Sequence, residues 1–149
     1  FGSSRGGMMV YQCLARVNWI RAAVTVGAPT DFTDSTFRPE MQQEYTAIFG
    51  GSTEERVKRS AVYWPEAFSD ATPLLIMHGT ADWRVNPLDS IRLAEKLYEN
   101  RKLFRLILYE SADHGLTEVK EEAEDERLQW FDRFVSDVGL LPEMKTQQK

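Results

Sequence analysis

Three short apolar runs, separated by stretches of helical period, constrain this chain more than any other feature. Residues 20–28 read Ile-Arg-Ala-Ala-Val-Thr-Val-Gly-Ala and are followed by Pro29; residues 73–79 read Pro-Leu-Leu-Ile-Met-His-Gly; a third run spans 103–109. Runs this short and apolar favour buried strands, the first two being ended by glycine or proline and the third followed by a loop from Glu110 to Leu116. The first strand is preceded by residues 8–18, which place Met9, Val10, Cys13, Leu14 and Val17 on a helical stripe. Pro87 opens a second helix, whose Ile91, Leu93, Ala94, Leu97 and Tyr98 recur at helical period. A long last helix over about 117–138 has an acidic first half, suited to the helix dipole, and a stripe through Leu128, Phe131, Phe134 and Val135. Strands alternating with helices at this spacing give an α/β layered fold with a largely parallel sheet flanked by helices.

Residues 39–64 interrupt the alternation. They are polar and helix-forming, with Pro39 suited to a first turn, Gly50-Gly51 as a stop, and Ser52 or Thr53 as the cap of a second short helix. This segment reads as an excursion outside the core. The tail Pro142–Lys149 is polar and expected to fray.

Composition narrows the function classes. With 149 residues, 42% of them hydrophobic, the chain can build one ordinary core. Its 18 Lys and Arg against 23 Asp and Glu leave a net charge of -5, which gives no electrostatic reason for a nucleic-acid partner. No apolar run approaches the roughly 18–20 residues of a membrane span, and no signal peptide opens the chain. The first residue is Phe1, so the start reads as the inside of a longer protein. The single cysteine, Cys13, has no internal disulfide partner and is expected in the core because it lies on the helical stripe.

In parallel sheets, chemistry gathers beyond the carboxyl ends of the strands, where loops converge and helix N-termini point into a common crevice. Three reactive side chains stand at such places: Ser4 in Gly2-Ser3-Ser4-Arg5-Gly6, Asp82 after the strand ending His78-Gly79, and His114 in Asp113-His114-Gly115. A serine on a tight strand-to-helix turn needs neighbours without a Cβ, which Gly2 and Gly6 supply. Its hydroxyl is a poor nucleophile until a base takes the proton, and a carboxylate must hold that base in the right tautomer. His114 and Asp82 suit those roles. The N–H of Arg5, at the head of the helix, suits a developing oxyanion. Of the two histidines, His78 ends an apolar strand and reads as a buried structural residue. Asp31, after the earlier strand, is the one serious rival to Asp82; Asp113 adjoins His114 too closely in sequence to approach it from another strand.

These residues resemble the catalytic domain of the prolyl oligopeptidase family of serine peptidases. The likeness rests on Gly-Ser-Ser-Arg-Gly-Gly at 2–7, Gly-Ala-Pro-Thr-Asp at 27–31, Arg-Ser-Ala-Val-Tyr-Trp at 59–64, His-Gly-Thr-Ala-Asp-Trp-Arg-Val at 78–85 and Asp-His-Gly at 113–115. It covers nearly all of the chain before the last helix. Asn86-Pro87 departs from the family, which often has proline directly after the valine.

The resemblance implies a partial α/β-hydrolase fold whose N-terminal half is missing, with residues 1–141 as the C-terminal portion of the catalytic domain and 142–149 as a tail. It implies Ser4 as nucleophile, His114 as general acid and base, Asp82 as its orienting carboxylate, and Thr30 and Phe32 as walls of the acyl-side pocket. Packing is the favoured use of both Phe32 and Trp83. The implied partners are a peptide substrate and the missing N-terminal half; no cofactor, metal, nucleic acid or membrane is called for. The strand over 20–28 would then lose a neighbour and become an exposed edge, favouring a dimer or aggregate. An esterase with the same three residues, and a non-catalytic α/β module with an inert Ser4, remain the alternatives.

Overall fold

The computed structural model describes residues 1–34 and 39–136. Four strands, β1 (Gly2–Ser3), β2 (Ala23–Val26), β3 (Leu74–Gly79) and β4 (Phe104–Tyr109), form one sheet in the order β1-β2-β3-β4. Every neighbouring pair is parallel. The crossovers carry α1 (Arg5–Leu14) from β1 to β2, α2 (Pro39–Phe49) and α3 (Thr53–Val57) between β2 and β3, and α4 (Pro87–Glu99) from β3 to β4; α5 (Lys120–Phe131) follows β4. The three anticipated strands are all present, and Pro39, Pro87 and the Gly50 stop fall where local chemistry put them. Gly50 has φ 85, Ser52 Oγ accepts from the Glu55 N–H to cap α3, and Asn86 Oδ1 accepts from Leu88 N–H to cap α4.

Alternation along the strands divides two cores. Ala23, Leu74 and Ile76 pack with Tyr11 and Leu14 of α1 and Leu93 and Leu97 of α4. Val24, Val26, Leu75 and Met77 point the other way, against Trp130 and Phe134. Helices thus cover both faces, which is why β2 and β3 are apolar almost throughout.

Several expected faces are rotated. On α1 the buried residues are Gly7, Tyr11 and Leu14; Met9 is 56% exposed, and Cys13 is exposed rather than in the core. Two contacts select this face: a Cβ on Gly7 would lie 2.4 Å from that of Ala28, and the Tyr11 hydroxyl meets Thr25 Oγ1 at 3.0 Å. On α4, Leu93, Ala94 and Leu97 are buried, while Ile91 and Tyr98 are exposed. At the last helix, Ala123, Trp130 and Phe134 pack inward, Phe131 is partly buried, and Leu128 and Val135 are exposed. The indole takes the core position, and a π-helical turn over Asp132–Ser136 shifts the register beyond it. The anticipated edge is also corrected: β2 is buried and pairs on both sides, so the sheet edges are the two-residue β1 and β4. The expected tail lies outside the described residues.

Candidate active site

The register of the sheet brings the strand ends to one level. Ser3 pairs with Val26 and Val26 with Met77, and the ladder continues one step further: Ser4 N–H donates to Val26 O at 2.8 Å and Gly27 N–H to Met77 O at 3.0 Å. Ser4, Gly27 and His78 therefore stand side by side where the chain leaves the sheet.

Ser4 sits at φ 53, ψ -123, a sparsely populated conformation for any L-residue, held between β1 and the first residue of α1. A Cβ on Gly2 would lie 2.3 Å from Gly6 O, so Gly2 permits the turn. The expectation for Gly6 is corrected, since a Cβ there meets nothing within 4 Å; Gly7 is the second glycine that close packing requires. Arg5 opens α1, so its N–H belongs to the first-turn amides that have no partner inside the helix. Among the described residues, Ser4 Oγ makes no hydrogen bond, to His114 or to any other group.

The loop after β4 carries His114 over the end of β3. Gly79 makes this possible, because a Cβ there would lie 2.2 Å from Ala112 O and 2.5 Å from Asp113 O. Ala81 N–H donates to Ala112 O at 3.0 Å and Ser111 N–H to Thr80 Oγ1 at 2.8 Å, stitching the Asp82 and His114 loops together. Asp113 turns inward on its own loop: Oδ1 accepts from Gly115 and Thr117 N–H, and Oδ2 from Thr117 Oγ1. The Thr117 amide, with these other donors, holds the Asp113 carboxyl below the usual carboxylate range.

Asp82 is buried and every acceptor direction is used. Oδ1 accepts from Arg84 N–H at 2.8 Å and Val85 N–H at 2.9 Å; Oδ2 accepts from His114 Nδ1 at 2.7 Å and from His78 Nε2 at 3.0 Å. Burial pushes the carboxyl up, but the hydrogen bonds from His114, His78 and the two amides together outweigh it and hold Asp82 well below the usual carboxylate range. With Nδ1–H committed to Asp82, the Nε2 of neutral His114 is left as the basic nitrogen. The rival Asp31 is occupied locally, accepting from Thr33 N–H at 2.8 Å and Thr33 Oγ1 at 2.6 Å.

Gly27, in sequence a strand stop and the start of the Gly-Ala-Pro-Thr-Asp segment, lies against this pair. It has φ 52, and a Cβ on it would sit 3.2 Å from Asp82 Oδ2, His114 Nδ1 and His114 O alike. The positive φ and the three contacts both require glycine.

A cavity of about 300 Å³ opens beside Ser4, lined by Arg5, Pro29, Tyr45, Trp83 and Arg84 among others. Trp83 is 62% exposed there, with the Arg84 guanidinium 4.9 Å from its ring centroid, so its expected packing role is corrected. Thr30 and Phe32 do not line this cavity. Thr30 is buried, its N–H donating to Asp89 Oδ2 and its hydroxyl to Asp89 O, and Phe32 packs edge-on against Tyr45 and Phe49. They support the wall from behind. Asp89 also accepts from Asp31 N–H, and burial pushes its carboxyl up to about 6 against the pull of these amides. No group of metal-ligating side chains occurs among the described residues.

A profile of the prolyl oligopeptidase family matches residues 1–137. The chain belongs to the prolyl oligopeptidase family. Solved structures agree in fold. The acylaminoacyl peptidase of Pyrococcus horikoshii is 16% identical, with a TM-score of 0.84 over 96% of this chain and 25% of that one. The puromycin-hydrolyzing peptidase of Mycobacterium tuberculosis is 20% identical, with a TM-score of 0.72 over 95% of this chain and 22% of that one. For Porphyromonas gingivalis dipeptidyl peptidase 4 the values are 22% identity and 0.73, over 90% and 19%. The chain thus spans a quarter or less of the length of these hydrolytic peptidases, and its parallel sheet with flanking helices corresponds to part of the α/β-hydrolase fold.

Proposed function

We propose that this member of the prolyl oligopeptidase family is a serine-type peptidase acting on oligopeptides, with Ser4 as nucleophile, His114 as general base and acid, and Asp82 as the carboxylate that orients His114. The observation that carries this reading is the 2.7 Å bond from His114 Nδ1 to the fully engaged Asp82, which lies against Gly27 at the end of β2 while Ser4 leaves the neighbouring β1 in a strained turn. His114 Nε2 takes the proton of Ser4 as Oγ bonds to the scissile carbonyl carbon. The Arg5 amide donates to the resulting oxyanion, and His114 returns the proton to the nitrogen as the C–N bond breaks. Water, deprotonated by the same nitrogen, then bonds to the acyl carbon. As the bond from that carbon to Ser4 Oγ breaks, His114 returns the proton to Oγ and the carboxylic acid departs.

An oxyanion hole of this kind uses two donors, and among the described residues one, the Arg5 amide, is assigned. Lack of one donor costs about 10²–10³ in rate, so the 149 residues alone are expected to be severely impaired, and the remaining groups of the site to come from elsewhere in a longer polypeptide. The test is turnover of a peptide amide and of a short acyl ester by the full-length polypeptide and its Ser4→Ala variant. Amide hydrolysis lost in Ser4→Ala supports the peptidase. Turnover of the ester alone replaces it with an esterase, and turnover unaffected by Ser4→Ala overturns the assignment.

A further inference from the structure

His78 is costly as a structural residue. Strand alternation puts it on the same face of β3 as Leu74 and Ile76, against α4, where an aliphatic side chain would fill the space without polar atoms to satisfy. Its ring is fully buried, yet both nitrogens are partnered. Nε2 lies 3.0 Å from Asp82 Oδ2 and 3.2 Å from Val85 O, and Nδ1 lies 2.6 Å from the hydroxyl of Ser90 on α4. The carboxylate and the carbonyl only accept, so Nε2 carries a proton, and Nδ1 shares a hydrogen bond with the Ser90 hydroxyl. The Ser90 hydroxyl, which can give or accept a hydrogen bond, satisfies the buried Nδ1 and holds the ring with Nε2 facing Asp82.

Two imidazole N–H groups, from His78 and His114, therefore converge on one carboxylate oxygen. Two backbone amides hold the other, so the carboxylate has four donors fixing its plane. Without His78, Oδ2 keeps only the bond to His114, so the two amides on Oδ1 alone resist rotation about the Cβ–Cγ bond, and any rotation carries the His114 ring with it.

We infer that His78, locked by Ser90, is a positioning residue that fixes the orienting carboxylate of the proposed peptidase. The inference rests on the role assigned to Asp82 above. His78 does not line the cavity beside Ser4, so it acts through Asp82 and His114 alone.

The test compares His78→Leu, His78→Gln and Ser90→Ala in the full-length polypeptide, with kcat expressed per active site titrated by a fluorophosphonate. Leucine keeps the packing and removes the donor; glutamine returns an N–H near the Nε2 position. Since a misplacement of about 1 Å can cost about 10²-fold, His78→Leu is expected to lower kcat per site by about 10–100-fold with KM within about twofold, and His78→Gln to recover most of the loss. A purely structural histidine would reduce the number of titratable sites and leave kcat per site at the wild-type value, which would overturn the inference. If His78→Leu does not fold, Ser90→Ala decides. It is expected to lower kcat per site several-fold, and a wild-type value there also overturns it. Labelling that survives Ser4→Ala would instead refute the underlying assignment, whereas Ser4-dependent turnover with an unaltered kcat in His78→Leu refutes this inference alone.

Discussion

Replacing Gly27 by alanine places one methyl group where three atoms of the site already meet. The backbone there has φ 52, and an L-residue in that region costs about 1–2 kcal/mol. The new Cβ would also lie 3.2 Å from Asp82 Oδ2, His114 Nδ1 and His114 O, inside ordinary van der Waals contact, so the histidine or the carboxylate must withdraw by a few tenths of an ångström. Asp82 is pinned by its amide and imidazole donors, and His114 at the end of a loop is the partner that gives way. At about 10²-fold per ångström of misplacement, a shift of roughly 0.3 Å corresponds to about fourfold in kcat. Gly27→Ala is therefore expected to lose about 1–2 kcal/mol in urea denaturation and about three- to tenfold in kcat, with KM nearly unchanged because Gly27 does not line the cavity. The measurement is steady-state kinetics of the full-length polypeptide, with active sites titrated, beside the denaturation curve. A variant as stable and as active as the wild type would refute the argument that this glycine is required by its neighbours.

Asp89 and Asp82 should impose opposite pH dependences on stability. Burial raises Asp89 from 3.8 to about 6, so its contribution is fully present below pH 3.8 and is lost as pH rises through 6, a swing on the order of 3 kcal/mol. Asp89→Asn keeps an oxygen for the Thr30 and Asp31 amides and should be more stable than the wild type at pH 8 but not at pH 4; parallel stability curves across that range would contradict this. Asp82 is depressed, so its contribution is present above pH 3.8 and is lost as pH falls below it. Lys102 is buried and donates to Glu66 O at 3.1 Å, Phe68 O at 2.6 Å and Asp70 Oδ1 at 2.6 Å. Lys102→Met should cost about 1.5–3 kcal/mol in urea denaturation, and Asp70→Ala, at an exposed partner, less than about 1 kcal/mol; equal losses would show that the ion pair and not the two carbonyls dominates.

Much of the frame was readable because local chemistry dictates it. The apolar runs ended by glycine became β2 and β3, the run before Glu110 became β4, Asn86-Pro87 capped α4, and Gly50 stopped α2. Asp82 and His114 follow strand ends because the runs before them are strands, whereas Ser4 follows the two-residue β1, which no apolar run announces. What could not be read depends on register and approach. The sheet order puts β2 between β1 and β3 and so removes the edge expected there. Which face of α1 is buried follows from Gly7 meeting Ala28 and from the Tyr11–Thr25 bond, contacts between segments with no sequence signal of their pairing. The same applies to Gly27 beneath the Asp82–His114 pair. A buried histidine was anticipated at His78, but its second role required knowing that Ser90 and Asp82 flank it. Thr30 and Phe32 do not line the cavity beside Ser4, where Pro29 and Tyr45 do; Thr30 is held inward by Asp89, a helical residue with no sequence signal of that contact.

Fluorophosphonate labelling of the full-length polypeptide, with the adduct located by peptide mass spectrometry, tests the assembly of Ser4, His114 and Asp82 most directly. The account predicts one adduct, on Ser4, whose formation slows by orders of magnitude in His114→Ala and Asp82→Asn. An adduct on another residue, or Ser4 labelling at the wild-type rate in either variant, would contradict it.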